Sequence, residues 1–147
     1  EDGGTCRAPM AAGILEEQVL NRPVEVLSRG LVVLFPEPLN QKAEAVMISN
    51  GLKPAGFMSE QITEEDITDN TLILTMSEES RQKIFELFPN VEKEDVAVLT
   101  EFVGDELEIL NPYGGNLQAY GICYETLNKS IKKLVKILNE GEEKCQK

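Results

Sequence analysis

The densest chemistry in the sequence lies in the opening stretch Glu1-Asp2-Gly3-Gly4-Thr5-Cys6-Arg7-Ala8-Pro9. The adjacent glycines Gly3 and Gly4 let successive backbone N–H groups turn inward as an anion-binding nest. A helix that starts near Pro9 adds partial positive charge, and the Arg7 guanidinium can form a bidentate fork. A ligand held by Asp2, Gly3, Gly4, Thr5, Cys6 and Arg7 in this way would be an oxyanion. The same residues also fit an ordinary glycine-rich turn before a helix. A second loop with polar and aromatic groups, Asn111-Pro112-Tyr113, lies far along the chain.

Elements of alternating period surround these loops. Met10, Ile14, Leu15 and Val19 recur at helical spacing and predict a helix over Pro9 to Leu20. Val24 to Leu27 reads as a short strand closed by Ser28, Arg29 and Gly30. Ala43, Val46, Met47 and Leu52 predict a second helix, stopped by Asn50 and Gly51. Thr71 to Met76 reads as a buried strand, and Ser77 can cap a helix that runs to Phe88 before Pro89. Val96 to Leu99 reads as another strand, and Leu117 to Leu138 as a long final helix. Strands separated by helices imply a parallel, doubly wound α/β sheet with helices on both faces. In such sheets ligands sit beyond the carboxyl ends of the strands, where loops lead into helices.

Composition bounds the rest. A chain of 147 residues, 41% hydrophobic, can bury one core without disulfides or metals. The expected organisation is a single domain over 1–140 and a charged, frayed tail over 141–147. A net charge of −12 opposes binding to nucleic acid and to anionic membrane surfaces. Cys6, Cys123 and Cys145 lack metal-ligand spacing, and the sequence has no histidine, so no metal or other cofactor is expected. Reduced thiols and a cytoplasmic location are the simple expectation. The oligomeric state is not encoded.

The loop and its surroundings resemble the low-molecular-weight protein-tyrosine phosphatases. That family opens on the pattern C-x-G-N-x-C-R-S-P, and Gly3, Thr5, Cys6, Arg7 and Pro9 fall in register with it. Ser28-Arg29-Gly30 resembles its Ser-Ala-Gly segment, and Ser59-Glu60-Gln61-Ile62-Thr63 with Asp66 resembles its Ser-x-Gln-Leu-Thr-x-x-Asp stretch. Leu72 to Met76 looks like its third strand, and Asn111-Pro112-Tyr113 stands where the family carries Asp-Pro-Tyr. The resemblance implies a four-stranded sheet whose first strand, preceding the loop, is missing from the given chain. It also implies a phosphate monoester or phosphorylated protein as ligand. In the family, a cysteine six residues before the arginine attacks phosphorus, and the Asp of Asp-Pro-Tyr protonates the leaving oxygen.

This sequence departs from that pattern where the covalent chemistry lies. Glu1 holds the nucleophile position and Asn111 the general-acid position, while Gly4 and Ala8 replace the family's asparagine and serine. The expected function is therefore a phosphatase-like binding or regulatory protein that retains its phosphate loop and is catalytically impaired. The alternative is an active phosphatase acting on phosphotyrosine or phosphoarginine through a cysteine upstream of or absent from the given chain, with Asp105 or Glu106 as substitute acid. Thr5 matches the threonine of family members that act on phosphoarginine. Tyr113 is expected either at the pocket rim or as a packing residue. Tyr120, Cys123 and Tyr124 are expected in the core, and the apolar segment Leu31 to Leu39 as a partner surface or a lid.

Overall fold

The computed structural model describes the backbone of residues 1–145 and the side chains of residues 1–140. Helix α1 spans Arg7–Glu16, α2 Gln41–Ser49, α3 Glu78–Leu87, α4 Leu99–Phe102 and α5 Leu117–Cys145. Strands β1, Ile73–Thr75, and β2, Val96–Val98, pair in parallel with Ile73 opposite Val96 and Thr75 opposite Val98.

Local chemistry accounts for the helix ends. The Asn40 side chain accepts from the amides of Lys42 and Ala43 at the start of α2, and Gly51, at φ +85°, follows its end. Ser77 accepts from Ser80 N–H, which caps α3 as its sequence position implies.

Successive residues of β1 face opposite sides, and the core divides accordingly. On one side Leu74 joins Met10, Ile14, Met47, Tyr120, Leu127 and Leu134, which come chiefly from α1, α2 and α5. On the other, Ile73 and Val96 pack with Leu31, Ile62, Ile84 and Phe85. Helices therefore cover both faces of a parallel pair, as the α/β reading requires. Cys123 and Tyr124 are buried with Tyr120 on the α5 face, as expected.

Three expectations need correction. Val24 to Leu27 forms no strand. It has no hydrogen-bonded ladder, and Val24 and Leu27 are 41% and 46% exposed. Between this segment and β1 lies a cavity of about 1000 Å³, lined by Ala11, Leu15, Val26, Leu74, Ile131 and Leu134. Strands pair at about 4.8 Å, so a ladder cannot close across that gap, and two strands are formed among the described residues rather than the three expected within them. The final helix runs to Cys145, past the Leu138 expected as its end, so the backbone of 141–145 is helical. The side chain of Cys145 and residues 146–147 lie outside the described residues.

Candidate oxyanion site

The opening loop is held from outside by its carbonyl groups. Glu1 C=O accepts from Leu31 N–H at 2.9 Å, Asp2 C=O from Val32 N–H at 2.9 Å, and Thr5 C=O from Asn40 N–H at 3.1 Å. In a planar trans peptide the N–H points away from its C=O. The N–H groups of Asp2, Gly3 and Cys6 are thereby turned toward the inside of the loop.

Two glycines make this packing possible. Gly4 lies at φ +72°, and a Cβ there would meet Gly30 N at 3.0 Å; a Cβ on Gly30 would meet Gly3 C at 3.0 Å. Gly30 is fixed in turn by a bridge to Gln61, its N–H donating to Glu60 C=O at 2.8 Å and its C=O accepting from Ile62 N–H at 3.0 Å.

The inside of the loop holds Glu1. Its Oε2 accepts from Cys6 N–H and Ala8 N–H, and its Oε1 from Arg7 N–H, each at 2.9 Å. No side chain of Cys6 caps α1. The Glu1 carboxylate does so from across the loop, against the positive end of the helix. Its side chain is 5% exposed.

Arg7 is 6% exposed. Its Nη1 donates to Ile109 C=O at 2.7 Å, and its Nε stands 3.5 Å from Glu1 Oε1. That Nε is buried with no hydrogen-bond partner, since the carboxylate oxygen beside it stands beyond the usual N–H···O range. The pair is an ion pair by distance alone. Among the described residues, the N–H groups of Asp2, Gly3, Gly4 and Thr5 donate to no protein group.

Beneath the loop, Cys6 Sγ lies 3.9 Å from Thr5 Oγ1 and 3.6 Å from Tyr120 Oη. Burial pushes the Cys6 thiol up from its ordinary value, against the effect of the Tyr120 hydrogen bond. Burial also pushes Cys123 up to about 12. Both sulfurs are therefore held as thiols rather than nucleophilic thiolates.

The expected site residues separate into two groups. Glu1, Cys6 and Arg7 come together with Ala8, whose amide contribution the sequence reading missed. Asp2 is exposed and its Oδ1 accepts from Lys83 Nζ at 3.3 Å. Asn111 is exposed, and its Oδ1 accepts from Tyr113 N–H at 3.1 Å, an Asx turn. Tyr113 is 74% exposed, which excludes the packing role. Its loop is tied to the site through Ile109, a backbone contact with no signature in sequence.

Asp105 does not fit the role of substitute acid. Ser130 Oγ donates to its Oδ2 at 2.6 Å and Lys133 Nζ to its Oδ1. The Lys133 and Ser130 hydrogen bonds hold its carboxyl below the ordinary range, so it stays ionised. The segment Leu31 to Leu39 is not folded down as a lid at its centre: Val32, Leu34 and Phe35 are exposed.

Comparison with known proteins agrees with this geometry. Residues 2–144 match the family described as low molecular weight phosphotyrosine protein phosphatase. A protein-arginine-phosphatase of Geobacillus stearothermophilus is 33% identical over 137 residues, covering 92% of this chain and 90% of that protein. The low molecular weight protein-tyrosine-phosphatase PtpB of Staphylococcus aureus is 32% identical over 136 residues, covering 92% and 94%. The solved structure of the YwlE arginine phosphatase from Geobacillus stearothermophilus superposes with a TM-score of 0.88 at 31% identity, covering 97% of this chain and 92% of that one. Matched by the family's model over residues 2–144 and by relatives more than 30% identical along nearly its whole length, the chain belongs to the low molecular weight phosphotyrosine protein phosphatase family.

Proposed function

We propose that this family member binds an oxyanion at residues 1–7 without turning it over, and so acts as a binding or regulatory protein toward a phosphorylated partner. The observation that carries this reading is the Glu1 carboxylate, fixed by three amide N–H groups at the position where the family places its cysteine. A carboxylate bound in this way is a weak nucleophile, and its charge opposes the approach of a phosphate dianion. Asn111 has no proton to give to a leaving oxygen, a loss worth roughly 10²- to 10⁴-fold in rate.

A second reading is favoured by the relatives, which are named as arginine and tyrosine phosphatases. In it, the protein hydrolyses phosphoarginine or phosphotyrosine through a cysteine outside residues 1–147, with Thr5 favouring phosphoarginine. The test is hydrolysis of p-nitrophenyl phosphate and of phosphoarginine by the unmodified protein and by the Glu1→Cys, Asn111→Asp double variant. Silence in the first and activity in the second is the expected result. Turnover by the unmodified protein would establish the second reading instead.

A further inference from the structure

The charge inside the loop determines which oxyanions suit it. Arg7 supplies one positive charge and Glu1 one negative charge, 3.5 Å apart and both buried. The side chains thus present almost no net charge to a ligand. What remains for binding is a set of neutral donors, the inward-turned N–H groups of Asp2 and Gly3 and the unpaired ones of Gly4 and Thr5, with the Arg7 guanidinium, whose Nε lacks a hydrogen-bond acceptor. Neutral donors gain from a negative ligand roughly in proportion to its charge, whereas stripping water from an ion costs as the square of its charge. A second negative charge on the ligand also meets Glu1 at close range in a medium of low effective dielectric.

We infer that Glu1 makes this site selective for singly charged oxyanions, such as a sulfonate, a phosphodiester or a monoprotonated phosphoryl group, over the dianion of a phosphate monoester. The inference rests on the reading of residues 1–7 as an oxyanion cradle, and it names the ligand class of that cradle. Glu1 is a specificity-determining residue: replacing its carboxylate by a neutral amide restores the net positive charge of Arg7 and turns the preference toward dianions.

Methanesulfonate and methylphosphonate make a matched pair, since both present three oxygens on a tetrahedral centre bearing one methyl group. Above the second ionisation of methylphosphonate they differ by one unit of charge. Binding of each is measured by isothermal titration calorimetry to the unmodified protein and to Glu1→Gln, with thermal melting to establish that the variant is folded. The expected result is that the unmodified protein binds methanesulfonate on the order of tenfold more tightly than the methylphosphonate dianion, and that Glu1→Gln reverses the order. Equal or tighter binding of the dianion by the unmodified protein would overturn the inference while leaving the cradle intact. Binding by Glu1→Gln alone would also overturn it, because Glu1 would then close the site rather than select its ligand. Binding of neither probe by either protein would remove the cradle, and the inference with it.

Discussion

The loop at Glu1 to Ala8 and the loop at Asp105 to Tyr113 meet at Arg7, yet they depart from the family pattern in different ways. The first keeps its shape because the shape is built by backbone: three carbonyls fixed from outside, two glycines at close approach and a helix N-terminus. Side chains along it can change while the N–H groups keep their directions. The second keeps its attachment through Ile109 C=O, and where the family pattern has the Asp of Asp-Pro-Tyr it carries Asn111, whose side chain is not ionisable. Binding geometry distributed over many amides tolerates substitution, whereas proton transfer invested in one side chain does not.

Arg7→Ala tests that contrast most severely. It leaves a buried carboxylate unpaired and removes the tether to Ile109, so a loss of about 3–5 kcal/mol is expected in urea denaturation. If the loss is under about 1 kcal/mol, the Glu1–Arg7 pair does not organise the loop. Gly4→Ala is the backbone counterpart: left-handed φ and the contact at Gly30 should cost about 1–3 kcal/mol while leaving every side chain of the site in place. An unchanged melting temperature would show that the close approach to Gly30 is not needed.

The acid loop has its own test in Asp105. Its folded-state pKa is depressed, so its contribution to stability is present at neutral pH and is lost as pH falls below about 3.9, the ordinary aspartate value. Asp105→Asn should lower stability at neutral pH and flatten its decline in that acid range. The same decline in both proteins would mean that Lys133 and Ser130 do not hold the carboxylate in solution. The smallest effect is expected at the thiols. Cys6 and Cys123 should resist alkylation until unfolding, read peptide by peptide in mass spectrometry, and rapid labelling of Cys6 in folded protein would contradict its burial.

Much of this was legible in sequence. Apolar spacing located α2, α3 and α5 and the start of α1, which ends at Glu16 rather than Leu20 and leaves Val19 exposed; Ser77 marked the start of α3, and the loop pattern brought Gly3, Cys6 and Arg7 to one place. What was not legible depends on partners distant in the chain. Val24 to Leu27 has the composition of a strand, but a strand exists only with a neighbour at ladder distance, and among the described residues none is present there. Glu1 read as a mere departure from a motif, because three amides converging on its carboxylate follow from the curvature of the loop rather than from residue type. The role of Arg7 toward Ile109 was hidden for a simpler reason: any residue offers the same carbonyl.

The cavity beside β1 has a consequence for how the molecule opens. Among the described residues β1 is laddered on one edge only, so its amides that point toward β2 are protected while those facing the cavity have no partner across the gap. Hydrogen exchange should therefore divide the domain unevenly, with α1, α2 and α5 opening last as one cooperative unit and the β1 edge exchanging through small local fluctuations. An unsatisfied strand edge is also a template for further pairing. Among the described residues, the edge of β1 beside the cavity is one such edge, and it lies next to the helix that carries Arg7.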